Sequence, residues 1–354
     1  MKRCFSDEIA SVLREELKGG RYKAGEMLPD VESLRHRFAA GDFAVRNAIL
    51  KLRKEGLVTV KKHVGVAVTG KALHAWKGHV AFIHTARSCS YHPQMLAVQF
   101  AKRLESEGYA LHAVFLDANT DERIDVSPLM RHIHNGLSFA IVLSESRKVT
   151  NTLDLAGVPY VVLEQFSRDY PNAYAVIGLT DMQECFAKLV QALKKRHVKN
   201  ILEVDFERRM DRTFKTMLFA AGLNVRRELC RFDNEQAHTL ADVRAVGYRA
   251  IARFLADKKR RANLPDVIMF DDDYLAYGGI MAILEAGLRI PEDIRVVAWM
   301  NRGNEICLSR TLACIQYDPS ASADAIARYV LAVLAGRKPA LPRIKWHFVP
   351  GESL

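Results

Sequence analysis

The sequence predicts an α/β protein with a small helical domain at its N-terminus and a large domain that contains two parallel sheets. Three observations predict this organisation. The chain has 354 residues, more than the roughly 100–200 of one typical domain. Residues 1–72 have helical periodicity followed by two short strand-like runs. From residue 80 onward, short apolar runs alternate with amphipathic segments of helix length.

Three helices and a hairpin are predicted in the N-terminal domain, residues 1–72. The first helix has Ser6 as its N-cap and ends before Gly19. Its buried face is expected to contain Ile9, Val12, Leu13 and Leu17. The second helix follows the N-cap Asp30, and the third runs from about residue 42 to residue 55 and ends at Gly56. Two strands, in residues 57–62 and 65–70, complete a winged helix-turn-helix.

After a linker at residues 73–79, the large domain spans residues 80–354. Its strands are nearly continuous apolar runs, which is typical of parallel sheets covered by helices on both faces. These runs are residues 80–84, 110–116, 139–144, 160–164, 201–205, 267–271 and 295–300. They predict two doubly wound subdomains divided near residues 170–175. In this architecture a small molecule binds where the carboxyl ends of the strands face each other.

Positive charge is concentrated at the N-terminus. The net charge is +11, and residues 1–77 contain 16 Lys and Arg against 9 Asp and Glu. A small basic domain joined to a nearly neutral large one indicates a polyanion as partner. A solvated lysine-rich surface is the alternative, and composition alone does not decide between them.

Several classes of protein are not expected. No apolar run approaches the roughly 20 residues of a membrane span, and the N-terminus does not have the pattern of a signal peptide, so we expect a cytoplasmic protein that does not bind membranes. Six scattered cysteines without a Cys-x-x-Cys pair predict neither disulfides nor a metal site. The glycine-rich and nucleophile motifs of common enzymes are absent from the sequence. We therefore expect no cofactor and no enzymatic activity.

A run of spaced residues in the N-terminal domain matches a known pattern. It consists of Gly20, Tyr22, Gly25, Leu28 and Pro29, then Val45, Arg46, Ala48 and Leu52, and finally Glu55, Gly56, Leu57 and Gly65. The pattern resembles the DNA-binding domain of GntR-type regulators over about 70 residues. The resemblance implies that the third helix is a recognition helix for double-stranded DNA.

A recognition helix presents its first residues to base edges while basic groups nearby hold phosphates. Arg46 suits a guanine edge or a phosphate, and Asn47 suits adenine or a phosphate. Further DNA contacts are expected from Phe43 and Lys51 on the same helix, Arg35 and Arg37 on the second helix, and Lys61, Lys62 and His63 at the wing tip. For each single charge, plain solvation is the alternative.

Two positions depart from the family pattern. Where GntR-type domains have arginines that contact DNA, this sequence has Glu32 and Asp42. A carboxylate that faces phosphate weakens binding. Either the operator is read differently, with Asp42 accepting a hydrogen bond from a cytosine amino group, or DNA binding is weak.

The large domain has a second recognisable pattern. Asp272 and Asp273 follow a predicted strand, and the matching residues after them are Ala276, Gly278, Gly287, Ile290, Pro291 and Asp293. The pattern resembles LacI-type sensor domains, which share the periplasmic-binding-protein fold, over residues 78–354 and most strongly over residues 264–336. It implies a type I periplasmic-binding-protein-like domain that binds an effector and dimerises, with crossovers near residues 300–325.

The expected effector site departs from that of the sugar-binding members. The four positions that correspond to their polar sugar contacts are Met210, Asp272, Met300 and Tyr317. A sugar site needs planar polar groups that fork onto hydroxyls, and methionine offers none, so a sugar bound in the usual manner is not expected. Trp299 and Tyr317 could stack on a ring. The candidate polar residues at strand ends are Ser88, Ser90, Tyr91, Glu164, Asp205, Asp272 and Asn301.

The acids among these residues favour a cationic or hydroxyl-rich effector such as a sugar-like molecule or a polyol. Asp273 is instead expected to cap the helix that follows it. Taken together, the residues and the two resemblances predict a homodimeric transcription regulator on a palindromic operator, with repression as the commoner outcome in such families. The alternatives are a ligand-binding protein that has lost DNA recognition and, less favoured, a Rossmann-like enzyme.

Overall fold

The computed structural model describes residues 5–18, 20–61, 64–69, 76–85, 90–116, 124–143, 146–164, 170–179, 181–205, 212–230 and 239–354. The chain divides into two compact units, each with its own core. The N-terminal unit comprises Met1–Gly78 with Gly108–Ala110, and the C-terminal unit comprises His79–Glu107 with Leu111–Leu354. Among the described residues, no helix is long and apolar enough to cross a bilayer.

The N-terminal unit is a winged helix-turn-helix, as predicted. Its elements are α1 (Phe5–Lys18), α2 (Val31–Phe38), α3 (Asp42–Lys54), β1 (Val58–Lys61) and β2 (Gly65–Val68), with β1 and β2 antiparallel. The three helices bury Leu13, Leu34 and Leu52 completely.

Local sequence signals explain most boundaries in this unit. Asp30 caps α2 by accepting a hydrogen bond from the Ser33 N–H at 2.7 Å, and Gly56 follows α3 with a left-handed φ of 75°. Two details of α1 were predicted wrongly. Ser6 lies inside the helix rather than at its cap, and Val12 is exposed rather than buried. The apolar face of α1 is therefore narrower than the sequence suggested.

The segment before α2 extends the hairpin. The Gly25 N–H donates to the Val68 carbonyl at 2.9 Å, and the Leu28 N–H donates to the Val66 carbonyl at 2.8 Å. Gly25 has a φ of 82°, which glycine adopts without steric cost. The glycine–leucine motif of the sequence thus holds the wing against the helices.

The C-terminal unit contains two sheets. The first has five strands in the order β4-β3-β5-β6-β7, and the second has six in the order β13-β12-β11-β10-β8-β9, of which β13 pairs antiparallel to β12. The strands are β3 (Gly78–Thr85), β4 (Tyr109–Leu116), β5 (Leu137–Leu143), β6 (Tyr160–Glu164), β7 (Ala175–Gly178), β8 (Asn200–Asp205), β9 (Asn224–Leu229), β10 (Val267–Phe270), β11 (Arg295–Asn301), β12 (Ala313–Tyr317) and β13 (His347–Val349). All seven predicted apolar runs form strands, which confirms the doubly wound class.

Helices separate most of these strands. They are α4 (Tyr91–Ser106), α5 (Ser127–His134), α6 (Arg147–Leu155), α7 (Gln183–Lys195), α8 (Arg212–Ala220), α9 (Leu240–Ala256), α10 (Lys258–Ala262), α11 (Asp273–Glu285) and α12 (Pro319–Leu334). Apolar side chains cover the second sheet on both faces, because Ile268 and Phe270 belong to one buried cluster whereas Val267 and Met269 belong to another.

Buried charge distinguishes the edge of the second sheet. Glu203 and Asp205, both on β8, are almost fully buried, and Arg227 on the edge strand β9 donates from Nε to Asp205 Oδ2 at 2.7 Å. Burial, and then the negative charge of Asp205, raise the pKa of Glu203 to about 7. Ionising Glu203 in the folded protein is therefore unfavourable relative to the unfolded chain.

This shift predicts a pH-dependent effect of Glu203→Gln. A raised carboxyl pKa stabilises the fold fully below the unfolded value near 4.5, and that contribution is lost as the pH rises through about 7. Glutamine does not ionise, so the variant does not lose this stability as the pH rises. Its melting temperature relative to wild type should therefore rise between pH 5 and pH 8, by about 2–4 °C for each kcal/mol relieved. Thermal melting at a series of pH values measures it.

Glu228→Gln is the matched control, because Glu228 lies on the neighbouring strand β9 and pairs with Arg260 nearer the surface. Its melting temperature relative to wild type should not rise over the same pH range. Parallel profiles for wild type and Glu203→Gln would show that Glu203 does not titrate in this range.

Candidate nucleic-acid interface and effector site

The exposed face of α3 is the candidate recognition surface. Val45, Ala48 and Leu52 are fully buried on the opposite face, so helical geometry turns Phe43 and Arg46 outward. The Phe43 side chain is 79% exposed, and that of Arg46 is 64% exposed. Asn47 is half-buried beside them, and Leu50 is exposed one turn after Arg46.

Acidic residues accompany the cations that were predicted to contact DNA. Arg46 Nε donates to Asp42 Oδ2 at 2.7 Å within α3, and Arg35 Nη1 donates to Glu32 Oε2 at 2.8 Å within α2. The two acids that replace the family's arginines are thus each one helical turn from an arginine. Both pairs are solvent-exposed, so their contribution to stability is small.

Two other predicted DNA contacts have partners inside the N-terminal unit. Arg37 pairs with Glu16 and thereby links α2 to α1, and this arginine holds the pKa of the Glu16 carboxyl below its usual value. Lys51 pairs with Asp7, which links α3 to α1. These side chains join the helices to one another, a role that the sequence analysis did not assign to them.

The base of the wing differs in its electrostatics from α2 and the start of α3, where arginines are paired with acids. Lys61 is exposed at the end of β1, and no ion pair is found for it, for Arg53 or for Lys54 within the described ranges. Lys62 and His63, the other predicted wing contacts, lie outside the described residues. In the described part of the unit, cations without an ion pair are thus found at the end of α3 and at the end of β1.

In the C-terminal unit, the predicted effector residues follow the carboxyl ends of strands. Asp272 follows β10 and caps α11, accepting from the Tyr274 and Leu275 N–H groups at 2.8 and 3.1 Å. The prediction that Asp273 caps this helix is therefore wrong by one residue. Asp273 is buried and accepts from Asn301 Nδ2 at 3.0 Å and from Asn304 Nδ2 at 2.7 Å.

Tyr91 connects elements of the two sheets. Its N–H donates to the Tyr274 hydroxyl and its own hydroxyl donates to the Arg302 carbonyl, each at 3.2 Å. Tyr91 begins α4, which follows β3 of the first sheet, whereas Tyr274 and Arg302 belong to the second half of the unit. Ser90, the residue at the N-cap of α4, makes no side-chain capping bond.

The two predicted stacking residues already contact protein rings. Tyr317 is buried, and its ring lies 4.9 Å from that of His92 and 5.1 Å from that of Trp346. Trp299 packs edge-on against Phe214 at 6.0 Å, in the core beneath α7 and α8. Burial lowers the pKa of His92 to about 4, so this imidazole is neutral at physiological pH.

The remaining candidates are distributed as follows. Asp205 pairs with Arg227 and lies at the end of β8. Glu164 ends β6, and the direction of its side chain is not described. Ser88 and Met210 lie outside the described residues. The structure thus brings Tyr91 and Asn301 into a first group with Asp273, Tyr274 and Asn304. It places Asp205 in a second group with Glu203 and Arg227.

Sequence reasoning missed two members of the first group, Tyr274 and Asn304, and it also missed His92 beside Tyr317. Tyr274 and His92 stand at the first turns of α11 and α4, directly after residues that had been identified. Asn304 had no comparable signal, because it lies in the loop between β11 and β12 and acts on a carboxylate 31 residues earlier in the chain.

Comparison with known families agrees with the two units. Residues 5–68 match the family model described as "Bacterial regulatory proteins, gntR family". Residues 190–354 match that of a periplasmic binding protein-like domain. The HTH-type transcriptional repressor PurR of Erwinia tasmaniensis is 41% identical over 58 residues, which is 16% of this chain and 16% of that protein.

Solved structures resemble the chain in fold. A PurR family transcriptional regulator from Vibrio parahaemolyticus has a TM-score of 0.61 at 13% identity, covering 78% of this chain and 98% of its own. A LacI family transcriptional regulator from Enterococcus faecium with bound ribose has a TM-score of 0.60 at 16% identity, covering 77% and 97%. One from Arthrobacter in complex with lactose has a TM-score of 0.60 at 18% identity, covering 78% and 98%.

The family matches confirm the two resemblances on which the sequence analysis relied. The first covers the winged helix, and the second covers the whole second sheet and most of its helices. The chain therefore joins a regulatory domain of the bacterial gntR family to a periplasmic-binding-protein-like domain.

Proposed function

We propose that this protein is a transcription regulator that binds double-stranded DNA through its N-terminal unit and a small effector through its C-terminal unit. One observation carries the proposal. A gntR-family winged helix with an exposed recognition face and a local excess of positive charge is joined to a periplasmic-binding-protein-like domain. Such a joint architecture allows a ligand to alter operator affinity, typically by about 1–3 kcal/mol of coupling.

In the proposed complex the first turns of α3 enter the major groove. Asp42, Phe43, Arg46 and Asn47 then face base edges, while Lys61 and the wing tip contact the phosphate backbone. Arg35 extends this surface on α2. Arg37 and Lys51 orient the helices from within the unit, as their pairs with Glu16 and Asp7 indicate.

A DNA titration with the full chain tests this surface. Wild type should form a sequence-preferring complex whose affinity falls steeply between about 50 and 200 mM salt. Arg46→Ala should weaken binding to the preferred duplex by about 5–150-fold, the range for a lost bidentate base contact. Fluorescence anisotropy with labelled duplexes measures both effects.

Arg328→Ala is the matched control, because Arg328 pairs with Asp324 one helical turn away and is 61% exposed, much like Arg46 with Asp42. It lies on α12 of the C-terminal unit and should leave DNA affinity unchanged. Equal affinities for wild type and Arg46→Ala would contradict the assignment of α3.

The second candidate function is a ligand-binding protein without DNA recognition. The observation in its favour is that Asp42 and Glu32 reduce the positive charge of the recognition surface. This alternative predicts no complex with any duplex even at low salt, so the same titration separates the two functions.

For the effector we propose a hydroxyl-rich molecule of the sugar or polyol class. Two structural neighbours hold ribose and lactose, respectively. In this chain the Asp273 carboxylate, the Asn301 amide and the Tyr91 hydroxyl supply hydrogen-bonding groups near the contacts between the two halves of the C-terminal unit. A ligand there would stabilise one relative arrangement of the halves, which is how such a domain changes state.

A thermal-shift screen with sugars, sugar acids and polyols tests the effector class. A ligand that binds the native state at 100 times its dissociation constant stabilises it by about 2.7 kcal/mol, which raises the melting temperature measurably. The same ligand should change the DNA titration midpoint. If no member of the three classes shifts the melting temperature, the proposed effector class is wrong.

The proposed regulator is a homodimer on a palindromic operator. An apolar stripe on α11, formed by Tyr277, Met281 and Leu284, is between 42% and 45% exposed in the single chain. These residues are spaced four and three apart, so they share one face of the helix. We propose that this face packs against the same face of a second copy.

Leu284→Asp should therefore produce a monomer in light scattering. It should also weaken operator binding, because the two winged helices are no longer linked. Leu155→Asp is the matched control, since Leu155 is a 91% exposed leucine on α6 of the same unit. A dimer that survives Leu284→Asp, or one that is equally disrupted by Leu155→Asp, would contradict the proposed interface.

A further inference from the structure

We propose that Asp42 is a positioning residue that presents the guanidinium of Arg46 to a guanine of the operator. The inference rests on the proposed DNA-binding function and adds a role for the acid that replaces an arginine of the family pattern. An acid at this position opposes binding by repelling phosphate unless it accepts a hydrogen bond from a base or from another side chain.

The geometry of the pair carries the inference. Asp42 Oδ2 accepts from Arg46 Nε at 2.7 Å, one helical turn away on α3. Nε has a single hydrogen, and the four others of the guanidinium are on the terminal nitrogens Nη1 and Nη2. No hydrogen bond from either terminal nitrogen is found in the described residues. The carboxylate therefore holds the inner edge of the fork while the outer edge faces solvent.

Guanine offers two acceptors, O6 and N7, side by side in the major groove, and an arginine fork matches both. Arginine has a flexible side chain, so fixing its direction before binding reduces the entropy lost when it meets the base. At the exposure of this pair, 51% for Asp42 and 64% for Arg46, the ion pair contributes little to folding. Its effect is instead on the direction of the fork.

The other acid–arginine pair of the unit has a different geometry. Glu32 Oε2 accepts from Arg35 Nη1, a terminal nitrogen, so the carboxylate occupies the edge that would meet a base. The two bonds are similar in length, but Glu32 also lies 3.4 Å from His36 Nε2, and its arginine is three residues away rather than four.

The Asp42 carboxylate also affects the preference for specific over random DNA, because it offsets the positive charge of Arg46. A guanidinium next to a carboxylate attracts phosphate less strongly, so binding to random sequence falls, whereas donation from Nη1 and Nη2 to guanine remains. The pair should therefore raise the ratio of specific to non-specific affinity. Exposed Phe43 and Leu50, one turn before and after Arg46, provide apolar contacts for thymine methyl groups beside that guanine.

The test begins with selection of a preferred duplex from a randomised library by the full wild-type chain. Affinities for this duplex, for a copy with 7-deazaguanine at the selected guanine, and for a random duplex are then measured by anisotropy. Asp42→Ala should lower the specific-to-random ratio about 5–10-fold without weakening binding to the random duplex. Asp42→Asn retains an oxygen acceptor for Nε but loses the negative charge, so its ratio should lie between those of wild type and Asp42→Ala.

Two controls complete the design. Asp324→Ala removes the acid that pairs with Arg328 on α12, outside the proposed DNA surface, and should leave the ratio unchanged. Loss of the N7 acceptor should weaken wild-type binding about 10-fold but should not affect Arg46→Ala. Circular dichroism should show that each variant is folded. If Asp42→Ala does not fold, Asp42→Asn replaces it, because asparagine has nearly the same shape as aspartate.

Three results would overturn the proposal. In the first, Asp42→Ala gains affinity equally for the specific and the random duplex. In the second, 7-deazaguanine weakens binding of wild type and Arg46→Ala equally, and in the third the selected site contains no guanine. Failure of the proposed function would look different, since wild type would then form no salt-sensitive complex with any duplex.

Discussion

Burial of Val45, Ala48 and Leu52 against α1 and α2 determines which side chains of α3 remain available for binding. A helix has only one face opposite its core, so Phe43, Arg46 and Leu50 are exposed as a direct result of that packing. The wing is held to the same body by hydrogen bonds from Gly25 and Leu28 to β2. The side chains of the proposed DNA surface are thus exposed because the opposite face of α3 packs on the small apolar core of the N-terminal unit.

Net charge is a poor guide to how this surface works. The N-terminal unit is basic overall, yet many of its arginines have a carboxylate within hydrogen-bonding distance. Arg14 with Glu55, and Arg37 with Glu16, join helices or loops of the unit, whereas Arg46 with Asp42 lies on the exposed face. The charges therefore divide into those that assemble the unit and those that remain for a partner.

The elements that could be predicted are those with a local cause. Asp30, directly before α2, caps it by accepting from the N–H of Ser33 three residues later. Gly56 follows the end of α3, and apolar runs such as residues 267–270 form buried strands. The strand β9, with the polar sequence NVRREL, was missed because an edge strand has no need for continuous apolar residues. Pairs between distant residues, such as Lys51 with Asp7, leave no trace in sequence periodicity. For the same reason the effector residues were predicted as a group of strand ends, whereas their individual partners were not.

The helix α11 has 13 residues without interruption, which corresponds to about 20 Å of rigid rod. Its first turn contains Tyr274, which accepts from the Tyr91 N–H, and its later turns carry Tyr277, Met281 and Leu284. Gly278, between these positions, packs so closely on the Arg244 backbone that an added methyl group would lie 1.8 Å from the carbonyl oxygen. Contact this close opposes sliding or rolling of α11 against α9. A displacement of the first turn of α11 is therefore expected to be passed along the helix and to α9, rather than absorbed where the two helices cross.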